Sequence, residues 1–460
     1  MNSPSTAYLD ALSTFGAQID FSTLPAVLRE QTAWILADTL AAIVAGSAEP
    51  ELRALSARLR PDAAGTAVLP GQGQHAAPLA AALINGTAGT FLEMDEGNRF
   101  SRGHPAVHVI PATMALAQTR GQDANSFMSA LLAGYEIGSR LGAAARLRGS
   151  MHPHGTWGTI GAAAACARLT GQSPESLRET INIGSSMTIA TSKRTMLEGG
   201  LVRNGYAGLS NHNGLLALTL AECGFSGERD GPGSLLGAVV SDHFDRDAVA
   251  QDLGLVWHVQ QNYFKLHSCC RYNHGTLDAI DQIAQRGPLP AAAEIQTISV
   301  RSYSLAAELD DPRPRNTLAA KFSVPFAVAT RIVHGHSRLS AFTWASIRDP
   351  DILALAERVQ LEEDPAMTAR LPGERPARVE IRTRDGLTRV GEVGVNRGDD
   401  AAPYTPQELR AKFLDLCERV WPTQHAEQVL EATLGLGQGV TRFADWVALL
   451  DRSPASGASA

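Results

Sequence analysis

From about residue 24 to residue 230, apolar side chains recur every three to four positions, and almost no stretch alternates with a period of two. The first period builds a helix with one buried stripe, and the second builds a strand with one buried face. This half of the chain is therefore restricted to packed helices, predicted over 24–46 (amphipathic), 76–94, 106–118, 124–145, 156–170 and 174–187. Several are rich in Ala and Gly, as in GAAAACA at 161–167, and small side chains let helix backbones approach closely. The texture changes near residue 290. The β-branched alternation of 294–305 predicts a strand, and two alternating runs around Asp385-Gly386 in 377–395 predict a hairpin. Residues 316–335 between them read as helix. Thr405 with Glu408 three positions on is a capping box that opens a helix, and a second follows at 424–434. The expected fold is mainly α: a large all-helical domain formed by both chain ends (1–267 and 403–460), with an inserted smaller α+β lid domain at 268–402. The small polar tail at 453–460 is expected to fray.

A formal charge of −7 argues against nucleic acid and against membrane surfaces, whose phosphates demand a cationic face. The 44% hydrophobic and 19% charged content is that of an ordinary soluble protein. No apolar run reaches the ~18 residues a membrane span needs, and the first twenty residues lack the pattern of a secretory signal. Five scattered cysteines make no disulfide framework, so a reducing, cytoplasmic setting is expected.

Four segments concentrate chemistry. In 89–112 a helix runs into Glu93, Asp95, Glu96, Asn98, Arg99, Arg102 and His104, after which Pro105 restarts apolar periodicity. Taken alone this is equally a solvated connection between helices. A histidine beside carboxylates can, however, be tuned for acid or base work. In 149–165, His152 and His154 flank Pro153 ahead of a small-residue helix whose first N–H groups favour an anion. Helix-capping histidines are the bland alternative. A metal reading is weaker, because a third protein ligand is missing from the pattern. The glycine-rich stretch 191–214 carries Lys193, Arg194, Arg203 and His212 without a phosphate-loop signature, and is either an anion clamp or a flexible surface connection. In 264–281, Lys265, His267, Arg271, Tyr272 and His274 gather just before a helix at the boundary of the two expected domains, where ligand sites are common. Cys269 or Cys270 could serve as a nucleophile, although a buried inert thiol is commoner.

Taken in order, these segments resemble the MmgE/PrpD family, which includes 2-methylcitrate dehydratase, cis-aconitate decarboxylase and iminodisuccinate epimerase. The resemblance rests on the acidic step before GHPA (Glu93, Asp95, His104), on HPHGTWGTIGAA, on the glycine stretch before NGLLALTLAECGF, on KLHSCCRYNH and on AAKFSVPFAVA. It runs from about residue 25 to 450. It implies a helical body with an α+β lid, a homodimer, and no metal or other cofactor. Carried over by position, Glu93 stands where relatives have an aspartate. His104 and His152 are the two active-site histidines, and Lys265 is the lysine at the lid boundary. Arg203 replaces a lysine of the dehydratase and decarboxylase branches. The tyrosine of the decarboxylase branch has no counterpart around Leu309. The Arg102-Gly103-His104 step is closest to the epimerase branch.

The expected function is a cofactor-independent lyase, dehydratase-like, acting on a small polycarboxylate by proton abstraction next to a carboxylate. His104, His152, Lys265 and Glu93 are expected to be catalytic. Arg203, Arg102, Asp95, Arg271, His274 and Tyr272 are expected to bind substrate. The alternatives are an epimerase or isomerase at the carbon α to a carboxylate, a non-catalytic carboxylate-binding protein, and a metal-dependent hydrolase using the histidines.

Overall fold

The computed structural model describes residues 6–59 and 65–454, so most of the tail expected to fray lies outside the described residues. The protein is mainly α-helical. Its centre is a bundle in which helices Pro78–Phe91, Pro105–Arg120, Ala124–Ala144, Trp157–Leu169 and Gly205–Glu222 pack on one another. Proline occupies the first turn of Pro78–Phe91 and Pro105–Arg120, where its missing N–H has no intrahelical partner to lose. The small residues set the spacing. A Cβ added at Gly161 would lie 2.9 Å from the Gly134 carbonyl oxygen, and one at Gly138 3.3 Å from the Gly161 Cα. The Ala/Gly runs are thus packing surfaces.

The amphipathic reading of 24–46 holds only for its first turns. Helix Ala26–Ser47 is buried on every side from Ile35 to Ser47. Pro78–Phe91 covers one flank, and the helices Pro406–Cys417 and Thr423–Gln438, from the far end of the chain, cover another. The capping box is present, with Glu408 N–H donating to Thr405 Oγ1 at 3.3 Å and Thr405 N–H to Glu408 Oε2 at 2.9 Å. A third terminal helix, Phe443–Leu450, had no clear signal because it is short and follows a glycine-rich turn.

Four strands form one sheet, in the order Thr388–Val393, Ala377–Thr383, Ile295–Ser302, Val359–Glu363. The first two make the expected hairpin, with Gly386 at φ 90° in its turn. Val359–Glu363 runs parallel to Ile295–Ser302, and its polar sequence concealed it. The helix expected at 316–335 is two, Thr317–Lys321 and Val324–His334. The Ser323 side chain caps the second by accepting from Phe326 N–H at 3.0 Å, and Pro325 cannot continue the first. Short β-pairs also interrupt the helical half, which is thus not purely helical: Ala67–Leu69 with Gln74–Ala76, Gly97–Asn98 with Asn262–Tyr263, and Ala145–Leu147 with Ser241–Phe244.

Apolar side chains form two main clusters. One joins Tyr8–Phe264 to Tyr404–Leu450, and the other joins Met196 to residues between Cys269 and Ile381. Among the described residues no helix is long and apolar enough to cross a membrane.

Candidate active site

Helix Pro78–Phe91 ends just before a turn in which Glu93 adopts φ 56°, a left-handed conformation that costs a bulky residue energy and tends to mark functional sites. The turn drives Glu93, Asp95 and Glu96 into the interior, where all three are buried. Lys412, from the C-terminal helices, fixes this turn from behind. It donates to the Met94 carbonyl at 2.7 Å and to the Asp38 carboxylate.

Two cations from distant segments answer the carboxylates. Arg203 arrives on the turn Leu201–Asn204 and donates through Nη1 to Glu93 Oε1. Lys265 is fully buried. Its Nζ lies 3.4 Å from Glu93 Oε2, 3.7 Å from Asp95 Oδ1 and 3.3 Å from the Glu93 carbonyl. It is held there because Asn262–Tyr263 pairs with Gly97–Asn98, where Gly97 leaves room for the Tyr263 ring. Burial works against the Lys265 ammonium, but Glu93 and Asp95 outweigh it and keep its pKa above the usual lysine range. Burial likewise favours protonation of Glu93 and Asp95. Arg203 and Lys265 for Glu93, and His104 and Lys265 for Asp95, reverse this and hold both below the usual carboxylate range. Glu96 is different. Burial pushes its carboxyl well up, and it accepts from Ala106 N–H at 2.8 Å, satisfying the start of helix Pro105–Arg120.

His104 occupies the position just before that helix, where its side chain makes no capping hydrogen bond. Its Nδ1 is 3.0 Å from Asp95 Oδ2 and 2.6 Å from the Glu96 carbonyl. The Glu96 carbonyl can only accept and the Asp95 carboxylate lies beside it, so Nδ1 carries the proton and Nε2 is the remaining basic nitrogen. His152 is held in the opposite way. Its Nδ1 accepts from His154 N–H at 3.1 Å, and its Nε2 faces Arg203 Nε at 3.4 Å. A charged imidazole could accept at neither nitrogen, and a neutral one accepts at a single nitrogen, so the two donors compete for one lone pair. Burial and Arg203 place the His152 pKa well below its usual value. The loop bearing His152 is clamped by Thr191 Oγ1, which donates to the carbonyls of His152 and His154 at 2.7 and 2.8 Å. His154 links the imidazoles, with ring centroids 4.7 Å from His152, 4.7 Å from His108 and 5.0 Å from His104. Burial holds His154 well down and lowers His108 to about 3.

The structure thus gathers Glu93, Asp95, His104, His152, Arg203 and Lys265 into one buried centre. It does not bring Arg271 and His274 to those carboxylates. Arg271 stacks 4.6 Å over Tyr263 and is occupied by Asp399 Oδ1 (2.9 Å), the Arg397 carbonyl (2.9 Å) and His274 Nδ1 (2.9 Å). The pair sits behind Tyr263 because Asp399, remote in sequence, competes for the guanidinium. Arg102 is exposed at φ 57° and makes no ion pair among the described residues. Tyr272 is half-buried, edge-on to Tyr303 at 5.9 Å. Of the cations in the glycine-rich stretch, Arg203 enters the centre. Lys193 pairs with Glu308 and Arg194 with Glu198. Cys269 and Cys270 are buried thiols. Burial raises both, Cys270 to about 11, which removes the thiolate a nucleophile needs.

Arg375 escaped sequence reasoning, as did Tyr263 and Tyr303. It is 4% exposed, stacks 5.5 Å over Tyr263 and 5.6 Å over Tyr272, and reaches the Arg99 carbonyl at 3.4 Å. Its Nη1 has no hydrogen-bond partner, nor has the buried Tyr303 hydroxyl, and among the described residues no carboxylate pairs with it. Tyr263 in turn lies edge-on to His104, at 6.1 Å. Arg375 lies within an unremarkable Gly373-Glu374-Arg375-Pro376-Ala377 stretch, so no local pattern announced it.

His267, Asp278 and Asp281 have metal-like spacing. Each is already engaged: His267 with Ser337 and Asp278, Asp278 also with Arg397 N–H, and Asp281 with Arg331. In the His152–His154 pair, His152 Nδ1 is taken by the His154 backbone N–H.

Residues 10–231 match the MmgE/PrpD N-terminal domain and residues 267–436 the MmgE/PrpD C-terminal domain, so the chain belongs to the MmgE/PrpD family. It is 24% identical over 442 residues to a cis-aconitate decarboxylase of Aspergillus terreus, covering 90% of each chain. It is 24% identical over 448 residues to a cis-aconitate decarboxylase-like protein, oryM, of Aspergillus oryzae, covering 90% of this chain and 91% of that one. The cis-aconitate decarboxylase of Homo sapiens is 25% identical over 364 residues, 73% of this chain and 72% of that one.

Proposed function

We propose that the protein is a lyase acting on a small di- or tricarboxylate through proton transfer at a carbon next to a carboxylate, with its own side chains as the catalytic groups. The observation that carries this reading is His104. Its Nδ1 is anchored between Asp95 and the Glu96 carbonyl in the same buried centre as Arg203 and Lys265. Nε2 takes or gives the proton. Arg203 and Lys265 stabilise the enolate charge that develops on the adjacent carboxylate. Neither is a proton shuttle: arginine does not deprotonate, and Lys265 stays an ammonium. Glu93 positions the two cations, Asp95 orients His104, and neutral His152 is a second base able to accept a proton.

Charge counting defines the substrate. Glu93 and Asp95 already offset Arg203 and Lys265, so Arg375, a buried guanidinium with no carboxylate of its own among the described residues, is a cation left for a second substrate carboxylate, with the Tyr303 hydroxyl beside it. Tyr272 walls this end. Arg102 meets the substrate at the surface of the loop, while Arg271 and His274 support Tyr263 from behind. The unit at 268–402, which carries Arg375 and Tyr303, acts as a lid over the helical body. Because the central side chains are buried, substrate enters when the two part. The assembly is a cytoplasmic homodimer.

Loss of water and loss of carbon dioxide both suit this centre. In the first, His104 removes the carbon-bound proton and, as imidazolium, passes it to the departing hydroxide, which leaves as water. In the second, it returns one to the carbon that carbon dioxide leaves. The relatives' names favour the second. Epimerisation is the remaining reading, supported by two imidazole sites, His104 and His152, in one centre. Proton NMR of di- and tricarboxylates in deuterium oxide tests all three. A new alkene with water loss marks dehydration, carbon dioxide release marks decarboxylation, and deuterium wash-in without either marks epimerisation. An unchanged spectrum for every acid that binds refutes the enzymatic reading in favour of a binding protein.

A further inference from the structure

A cavity of about 890 Å³ lies beside the catalytic centre but outside it, bounded by the turn at 48–51, by Phe91 and Leu92, by Leu201, by helix Thr317–Lys321 and by the loop 336–344. Its volume is that of a site for a drug-sized molecule, larger than a compact dicarboxylate requires.

Lys321 lines this cavity, is 5% exposed, and makes no ion pair among the described residues. Its backbone carbonyl is taken, accepting from Cys270 N–H at 2.9 Å and Asn273 Nδ2 at 3.0 Å, which fixes the residue in place. Burial lowers its ammonium to about 8. Glu93 and Glu49 oppose this from a distance without pairing with it, and a buried ammonium with no directly paired carboxylate is expensive to maintain, so its presence calls for an anion from outside the chain. The cavity's own acids do not supply one. Glu49 is held by Arg419 at 2.8 Å, and Glu51 and Asp415 are exposed. A second cation, Arg338, stands exposed and makes no ion pair among the described residues. Between them the walls are apolar: Leu339 is half-buried, Phe342 is buried, and Trp344 is left 51% exposed for so large an indole.

We propose that this cavity is a second ligand site, for an organic anion with an apolar body: the carboxylate or sulfonate head pairs with Lys321, and the body lies along Leu339, Phe342 and Trp344 with Arg338 at the opening. The proposal is independent of the reaction assigned to His104. The site nonetheless touches its machinery, since Leu92 precedes Glu93 and Leu201 lies two residues before Arg203.

The full-length protein is titrated with 8-anilinonaphthalene-1-sulfonate, an aromatic anion whose fluorescence rises in apolar surroundings. One saturable site is expected. Lys321→Met weakens it at least 10-fold, Lys321→Arg restores most of the affinity, and Arg338→Ala, an exposed change that leaves folding intact, weakens it about threefold. Decanoate competes for the site and citrate does not. Non-saturable binding, unchanged affinity in both Lys321→Met and Arg338→Ala, or displacement by citrate as effective as by decanoate overturns the proposal; the last result assigns the probe to the Glu93 centre.

Discussion

His104 Nδ1 stands 3.0 Å from Asp95 Oδ2, and the Glu96 carbonyl, at 2.6 Å, completes the cradle, so the imidazole is locked in one tautomer with Nε2 free. Replacing the ring with Gln removes the proton carrier without emptying the space. His104→Gln is expected to lower kcat by about 10²–10⁴, with unchanged far-ultraviolet circular dichroism. Asp95→Asn can present its N–H to the ring and favour the other tautomer, so it is expected to lose activity with little change in KM. Near-normal turnover in both removes His104 from the mechanism.

Arg375 lacks a carboxylate among the described residues. A charged hydrogen bond is worth about 1.5–3 kcal/mol. Arg375→Met is therefore expected to raise KM for a dicarboxylate by about 10- to 150-fold while changing kcat less, and Arg375→Lys to recover part of that loss. The discriminating measurement is an analogue lacking the distal carboxylate, which the wild type and Arg375→Met should bind alike. A purely structural Arg375 would change both ligands equally.

Glu93 neutralises Arg203 and Lys265 at once. Removing one member of a buried ion pair typically costs about 3–5 kcal/mol. Glu93→Gln keeps the shape but not the charge and is expected to lower Tm measurably in calorimetry. Because the Glu93 pKa is depressed in the folded protein, its stabilisation is present above the unfolded carboxylate range and is lost as pH falls. The gap in Tm between wild type and Glu93→Gln should therefore narrow toward acid pH. A gap that widens on acidification contradicts the pairing.

Lys321 carries the opposite sign. Its folded pKa of about 8 lies below the ordinary lysine value of 10.5, so below pH 8 the unfolded chain holds a proton more readily than the folded one. Stability is reduced throughout that range and recovers between about pH 8 and 10.5. At 1.36 kcal/mol per pKa unit this is on the order of 3 kcal/mol. Lys321→Met is expected to melt higher than wild type at pH 7, with the difference shrinking toward pH 10. Equal melting curves at both pH values would show that the ammonium is neutralised within the protein.

How far the sequence was legible depended on range. Helix Pro105–Arg120 could be read because Pro105 opens it and the left-handed Gly121 closes it, both within the segment itself. The hairpin around Asp385-Gly386 is equally local. Helix Ala26–Ser47 was misjudged as amphipathic because what covers its outer face comes from residues 406–438. In the site, Glu93, His104, His152, Arg203 and Lys265 sit in compositionally unusual loops. His108 hides in a helix, Tyr263 in a two-residue strand and Arg375 in an ordinary turn.

Periodicity and capping, which act over a few residues, determined from the sequence alone that this chain is mainly helical, that its strands come late, and that its chemistry lies in four polar loops. Only the tertiary structure decided which charges meet. Arg271 was taken by Asp399, Lys265 was left facing Glu93 and Asp95, and Arg375 was kept free of any carboxylate among the described residues. Electrostatic partnership depends on distance in space, and residues remote in sequence settle it as the chain packs.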